Sequence, residues 1–154
     1  MDDHVTDVAA AVESAVESLV SVLDTARAAQ TPIVPPAQLR VLSIIAGNRH
    51  TNMSRLAEAL DVVPSSASRL CDRLEAAGLL RRVPDPRDRR EVQLMLTPLA
   101  RRLLDQIRER RRAALAHVLE RMSPAARGDL LRSLQSFAEA AEPGASGEQN
   151  LRTA

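Results

Sequence analysis

A short charged segment between two apolar ones constrains this chain more than any other feature. Residues 85–90 read Asp-Pro-Arg-Asp-Arg-Arg, and a segment so rich in charge is too polar to be buried. After it, Val92, Leu94 and Leu96 alternate with other residues, which is the period of a half-buried strand. Before it, residues 79–83 form a short apolar arm. The pattern therefore predicts a β-hairpin that projects an arginine-rich tip.

The hairpin alone leaves two interpretations open. Its arginines could bind phosphate or enter a narrow groove of a nucleic acid, since a guanidinium group suits both. Alternatively, the alternating charges could pair with one another in a solvated turn. The residues that precede the hairpin have to distinguish these interpretations.

Two short helices are predicted directly before the hairpin. Thr51 or Asn52 can cap a helix that runs to about Leu60. After a short turn, a second helix is predicted over residues 64–77 and is closed by Gly78. Two helices joined by a turn of three or four residues form a helix-turn-helix unit.

The second of these helices has an apolar face and a polar one. Helical spacing places Ala67, Leu70, Cys71 and Leu74 on the apolar face, and Ser65, Ser66, Ser68, Arg69 and Arg73 on the exposed side. Short hydroxyl side chains followed by an arginine suit insertion into a DNA major groove, where arginine reads guanine with two hydrogen bonds. The alternative is a polar face without function. The arginine hairpin that follows favours the DNA interpretation.

Longer amphipathic helices flank this unit. Residues 5–26 carry apolar side chains every three or four positions, a narrow seam typical of a helix that packs against a partner helix. Another helix is predicted over residues 36–46. Beyond the hairpin, Thr97 can cap a helix that is predicted to run to about residue 122 with an inward stripe. A last helix is predicted to end at about residue 141. The stripe consists of Leu99, Leu103, Ile107, Ala114 and Val118. The expected fold is mainly α with a small β-hairpin.

The distribution of charge supports a polyanionic partner. The 154 residues have a net charge of only +1. Residues 1–30, however, hold six acidic residues and one arginine, whereas residues 81–112 hold eleven arginines and five acidic residues. Such asymmetry indicates one side that faces a polyanion and another that does not.

Other function classes find little support. His4, His50 and His117 are scattered, and no Gly-rich phosphate loop or paired nucleophile and base is present, so no enzyme, metal or cofactor is expected. Cys71, the single cysteine, lies on the apolar helix face and is predicted to be structural rather than redox-active. No apolar run approaches about 18 residues and no basic leader is present, so a cytoplasmic protein without membrane contact is expected.

Residues 36–141 resemble the MarR family of winged helix-turn-helix transcriptional regulators. Residues 65–79 are similar to the family's recognition helix. Arg82, the DxRxxR signature over residues 85–90 and the Leu96-Thr97 pair are similar to its wing. The resemblance implies a homodimer that binds double-stranded DNA at an inverted-repeat operator, as a repressor released by a small, mainly apolar ligand. A winged helix used as a protein-interaction module, without specific DNA binding, is the alternative.

The resemblance also implies a domain organisation and residue roles. Residues 1–30 would form an N-terminal dimerisation helix, 36–98 the DNA-binding domain, 99–141 the C-terminal dimerisation helices and 142–154 a flexible tail. The residues implied to bind DNA are Ser65, Ser66, Ser68, Arg69, Arg73, Arg87, Arg89 and Arg90. Of these, Arg89 would enter a minor groove and Arg73 would contact phosphate. Asp85 or Asp88 would brace a neighbouring arginine. The implied ligand cleft lies near Leu23, Leu39, Ile44 and Leu103. Val63 stands where many members have a capping serine, which would leave capping to Ser65.

Overall fold

The computed structural model describes residues 3–28, 33–88 and 90–141. Its elements in chain order are α1 (Asp3–Ala28), α2 (Pro36–Gly47), α3 (Met53–Leu60), α4 (Pro64–Ala76), β1 (Leu80–Pro84), β2 (Val92–Leu96), α5 (Pro98–Leu119) and α6 (Pro124–Ala141). The mainly helical fold with one antiparallel hairpin confirms the predicted fold class. The tail predicted over residues 142–154 lies outside the described residues.

The chain forms two compact units. The first ends at Ala114 and the second begins at Leu115, so α5 contributes to both. The core of the first unit is built from α2, α3, α4, the hairpin and the N-terminal part of α5. Its largest fully buried side chains are Leu42, Leu56, Leu74, Leu79, Leu80, Leu103, Val41 and Cys71. They occur at helical spacing or on the inner face of the strands, as burial of apolar surface requires.

Local signals in the sequence fix where the short helices begin and end. Asn52, rather than Thr51, caps α3, because its side chain accepts a hydrogen bond of 2.9 Å from the Arg55 N–H. Gly78 takes the left-handed conformation with φ 71°, which ends α4 in a Schellman motif. In this motif the Leu79 N–H donates to the Leu74 carbonyl at 2.9 Å. The turn between the two helices includes Asp61, whose φ of 54° ends α3 in the same left-handed region.

Helix α4 starts without a side-chain cap. Val63 occupies the N-cap position and Pro64 follows in the first turn, where its missing N–H costs nothing. Ser65 is therefore not the capping residue, and its side chain is exposed.

The apolar stripe of α5 differs from the predicted one. Leu99 is 40% exposed, whereas Ala100 and Leu104 are buried beside Leu103 and Ile107. The inward face therefore follows the i, i+3, i+4, i+7 spacing that starts at Ala100. In β2, Val92 is 46% exposed while Leu94 and Leu96 are buried, because Val92 pairs with Pro84 next to the tip, at the end of the strand farthest from the core.

Helices α1 and α6 each present apolar side chains to solvent. In α1, Val5, Val8, Val12, Val16 and Val20 are all more than 40% exposed. In α6 no residue is buried, and Leu130, Leu131, Leu134 and Phe137 are exposed. Apolar faces of this length are seldom left to water in a folded protein.

Candidate nucleic-acid interface

Helix α4 presents a basic and hydroxyl-bearing face. Ser65, Arg69 and Arg73 are exposed, whereas Ser66 and Ser68, which were predicted on the exposed side, are half-buried. On the opposite face Ala67, Cys71 and Leu74 are fully buried. Among the residues that the structure describes, neither Arg69 nor Arg73 forms an ion pair. Their guanidinium groups are therefore available to an external anion.

Arg82 of β1 engages both acidic residues of α4. Its Nη1 atom donates to Glu75 Oε2 at 2.6 Å, and its Nη2 atom donates to Asp72 Oδ1 at 2.7 Å. The Nη2 atom also lies 3.5 Å from the Ser68 carbonyl oxygen. The hydrogen bond to Asp72 is the main reason why the pKa of Arg82 is raised above its ordinary value. The single positive charge of Arg82 thus offsets half of the negative charge that the helix carries.

The hairpin, called the wing from here on, comprises residues 80–96. Its strands pair in a register that joins Leu80 to Leu96 and Pro84 to Val92. At the tip, Asp85 Oδ1 accepts a hydrogen bond from the Arg87 N–H at 2.8 Å. In the same way, Asp88 Oδ1 accepts one from the Arg90 N–H at 2.9 Å. The two aspartates therefore shape the turn through backbone amides, in the manner of Asx turns.

The wing arginines project from this turn. Arg87 and Arg90 are exposed. In the described part of the tip, no guanidinium group forms an ion pair with Asp85 or Asp88. Arg89, predicted to enter a minor groove, lies outside the described residues.

The stem of the wing is attached to the start of α3. The Leu94 N–H donates to the Thr51 carbonyl at 2.8 Å, and Asn52 and Gln93 form an isolated β-bridge. The Gln93 Nε2 atom lies 3.0 Å from His50 Nδ1. The wing is thus fixed to the helix-turn-helix unit on two sides, by Arg82 at α4 and by this pairing at α3.

Thr97 joins the end of the wing to the next helix. Its hydroxyl donates to the Gly78 carbonyl at 2.7 Å and accepts from the Ala100 N–H at 3.2 Å. The second of these bonds is the N-cap of α5 that the sequence predicts. The first bond holds the C-terminal turn of α4 against the beginning of α5.

Cys71 lies directly beneath this surface. Its side chain is fully buried, and burial raises the pKa of the thiol to about 11, although the positive charge of Arg82 opposes the shift. A thiol with so high a pKa is a poor nucleophile at neutral pH. The geometry therefore agrees with the structural role predicted for Cys71.

A cavity of about 570 Å³ opens in the first unit. Its apolar lining includes Leu39, Leu60, Val62, Leu70, Leu104 and Ile107. Four arginines also line it, namely Arg27, Arg40, Arg108 and Arg111, and no acidic residue of the described part of the chain does. Arg27 and Arg108 are, however, ion-paired outside the lining with Asp24 at 3.9 Å and Asp105 at 3.1 Å. The Nε atom of Arg111 is buried and has no hydrogen-bond partner. The cavity is therefore both aliphatic and basic, whereas the sequence predicts a mainly apolar one.

The predicted ligand residues are only partly brought together. Leu39 lines the cavity, whereas Leu23, Ile44 and Leu103 do not. Leu103 is 2% exposed and belongs to the core instead. The two cavity arginines of α5 could have been found from spacing, because Leu104, Ile107, Arg108 and Arg111 follow i, i+3, i+4 and i+7 on one helix face.

Two further observations delimit the chemistry of the described residues. No group of three or more histidine, cysteine, aspartate or glutamate side chains among them is arranged to hold a metal ion. None of the helices in this part of the chain is both long and apolar enough to cross a membrane.

The chain is similar to known regulators. Residues 34–91 match the MarR family. The HTH-type transcriptional repressor MdtR from Bacillus subtilis is 34% identical over 86 residues, which cover 56% of this chain and 56% of that protein. The chain thus spans little more than half the length of the curated relatives that it matches.

Solved structures extend the similarity to nearly the whole chain. RV1404 from Mycobacterium tuberculosis is 35% identical with a TM-score of 0.80, and the match covers 94% of this chain and 99% of that one. The transcriptional repressor CouR, solved bound to a 23-mer DNA duplex, is 26% identical with a TM-score of 0.58. That match covers 83% of this chain and 89% of CouR. With its helix-turn-helix unit and wing, the chain belongs to the MarR family.

Proposed function

We propose that the protein regulates transcription by binding a specific inverted-repeat DNA operator as a homodimer. The observation that carries DNA binding is the charge arrangement of α4. Arg69 and Arg73 are exposed and unpaired among the described residues, while Asp72 and Glu75 are both paired with Arg82, whose single positive charge offsets half of theirs. The structure of CouR with a DNA duplex supports the same class of partner. This function belongs in the cytoplasm, with the DNA.

In this proposal the arginines have distinct roles. Arg69, with Ser65, Ser66 and Ser68, contacts base edges in the major groove, since small side chains allow close approach. Arg73 contacts phosphate. The wing arginines Arg87, Arg89 and Arg90 reach the adjacent minor groove, where a narrow A-tract concentrates negative potential.

The DNA-binding test compares substitutions of matched charge. Arg69→Ala should cost about 1 to 3 kcal/mol per half-site and relax the preference at one operator position. Arg73→Ala should weaken binding nearly equally on all sequences and reduce the salt dependence by about one counterion per contact. Arg121→Ala, which removes one exposed charge from outside α4 and the wing, is the control. Fluorescence anisotropy with specific and unrelated duplexes measures all three.

A negative result has a defined meaning. If Arg69→Ala and a variant lacking the wing arginines both melt normally and bind DNA as the wild type does, the DNA-binding proposal fails. The protein-interaction module would then be the better account. Such a module would also bind an unrelated duplex as tightly as any selected one.

Dimerisation is proposed to bury the exposed apolar faces of α1 and α6 against a second copy of the chain. Each of these faces is long and consists of exposed apolar side chains. Val12→Glu should dissociate the dimer in sedimentation experiments, whereas Ser14→Glu, on the opposite side of α1, should not. A stable monomer that still bound its operator after loss of residues 1–26 would contradict the proposal. The two recognition helices should contact half-sites about one helical turn, or 10 bp, apart.

The ligand proposed for the cavity is a small anion with an aliphatic part. Arg40 and Arg111, which form no ion pair among the described residues, favour a carboxylate or phosphate, and the leucines, isoleucine and valine favour an alkyl chain. Because Val62 and Leu70 belong to the helix-turn-helix unit, an occupant would contact the unit that carries α4. Calorimetry should detect a medium-chain fatty acid but not its primary amide, and Arg111→Gln should weaken binding. Equal binding of acid and amide would refute the anionic assignment.

A further inference from the structure

We propose that Arg82 is a positioning residue, which sets the placement of the wing relative to α4 and thereby lets the wing arginines reach DNA together with Arg69. The inference rests on the proposed DNA-binding function. It concerns a residue that contacts the protein rather than the duplex.

Arg82 connects β1 to α4 through both of its terminal nitrogens. Its two terminal nitrogens each hold a different carboxylate, at 2.6 and 2.7 Å. Asp72 and Glu75 lie about one turn apart on α4, and the Ser68 carbonyl lies one turn before Asp72. Because the guanidinium group is planar, contacts with separate acceptors along one helix restrict both the direction and the rotation of the side chain.

The position of Arg82 in the wing makes this restriction relevant to the tip. Arg82 is the middle residue of β1 and pairs with Leu94 of β2. Its side chain is 27% exposed, so it is partly shielded from water. The hairpin is held in the middle of β1 by α4 and in the middle of β2 by the hydrogen bond of Leu94 to Thr51, and both contacts oppose pivoting about its base. On this proposal the backbone of the tip is therefore held in place relative to α4.

If the charges of Arg82, Asp72 and Glu75 acted on DNA only electrostatically, one variant should change its affinity in the opposite direction from that expected of a positioning role. In Asp72→Ala with Glu75→Ala, two negative charges disappear from the recognition helix. If charge alone mattered, this double variant would bind DNA more tightly. If Arg82 positions the wing through these carboxylates, the double variant should bind its specific duplex more weakly. The sign of the change therefore separates the two roles.

The experiment uses the full chain and a duplex that the wild-type protein selects from a randomised pool. Binding is measured for Arg82→Ala, for Asp72→Ala with Glu75→Ala, and for a wing variant in which Arg87, Arg89 and Arg90 are alanine. Arg82→Ala and the Asp72/Glu75 double variant are each also combined with the wing variant and, separately, with Arg69→Ala. Thermal melting confirms that every variant is folded, and Arg82→Lys tests rescue by a charge that lacks the two terminal nitrogens.

The expected result is selective non-additivity. Arg82→Ala and the double variant should each weaken specific binding by about tenfold, with Arg82→Lys in between. When the wing arginines are removed from Arg82→Ala or from the double variant, the affinity for DNA should fall much less than when they are removed from the wild type. Arg69→Ala should lower the affinity by the same factor in all three proteins, because only coupled sites deviate from additivity.

Three results would overturn the inference. They are tighter binding by the double variant, full additivity between Arg82→Ala and the wing variant, and a wing variant that binds like wild type. Failure of the underlying function is recognised separately, because the wild-type protein would then show no preference for its selected duplex over an unrelated one.

Discussion

The titration of Cys71 should dominate the stability of the protein between pH 9 and pH 11. The chain contains no lysine and no tyrosine, and arginine stays charged throughout this range. Cys71 is therefore the only side chain that is expected to lose a proton there. In the folded protein its pKa is raised from 9.0 to about 11, because ionisation would place a charge in the apolar core.

The sign of the effect follows from linkage. The unfolded chain releases the thiol proton near pH 9, whereas the folded chain holds it until about pH 11. The contribution of the neutral thiol is thus fully present below pH 9 and is lost as the pH rises through 9 to 11. Since one pKa unit corresponds to about 1.4 kcal/mol, the total loss should be about 2 to 3 kcal/mol.

Urea unfolding at fixed protein concentration, followed by far-ultraviolet circular dichroism, measures this loss. The wild type should lose stability steadily from pH 9 to pH 11, whereas Cys71→Ala, although less stable at pH 8, should give a nearly flat profile. A wild-type profile parallel to that of Cys71→Ala would refute the reasoning. A thiol reagent provides a second check, because it should label Cys71 rapidly only after unfolding.

Three further predictions concern Thr97 and Gly78 at helix ends and Gly128 inside a helix. Thr97→Val should destabilise the protein by about 2 kcal/mol, from loss of the cap and of the bond to the Gly78 carbonyl, whereas Thr97→Ser should cost less than half as much in the same unfolding assay. Gly78→Ala should cost about 1 to 2 kcal/mol because of its positive φ, although open space surrounds the new methyl group. Gly128→Ala, within α6 and with only the Arg132 side chain nearby at 3.7 Å, should stabilise by about 0.5 to 1 kcal/mol. Equal effects of the two glycine substitutions would contradict this account.

The order of helices and strands could be predicted because the spacing of apolar residues agrees with the positions of the prolines and glycines that bound the elements. Pro36, Pro64 and Gly78 mark boundaries that the structure places within a residue of the prediction. The phase of α5 could not be predicted as well. Leu99 and Leu103 suggest one stripe, but Ala100 and Leu104 are buried and Leu99 is exposed. Which of two overlapping stripes is buried depends on tertiary packing, which spacing along one helix does not reveal.

The candidate DNA-binding surface could be predicted from the sequence only in part. Exposure of Arg69 and Arg73 follows from helical spacing alone. The partners of Arg82 do not, because they belong to a helix whose orientation toward the strand is set by the buried leucines between them. The same applies to the basic cavity, where arginines from α1, α2 and α5 meet only in three dimensions. Sequence spacing could indicate such groups within one helix, but not across helices.

The pairing of β2 with the residue before α3 has a consequence for local unfolding. Since the Leu94 N–H is bonded to Thr51 and the neighbouring Asn52 bridges Gln93, the wing stem cannot detach without disturbing the first turn of α3. Hydrogen exchange should therefore find the amides of Leu94 and Leu56 opening in the same cooperative event. The amides of Arg87 and Arg90, held only by aspartate side chains in an exposed turn, should exchange orders of magnitude sooner. The boundary between slow and fast exchange should lie at Asp85 and Glu91, because the bond from the Asp85 N–H to the Glu91 carbonyl is the last backbone hydrogen bond between the two arms.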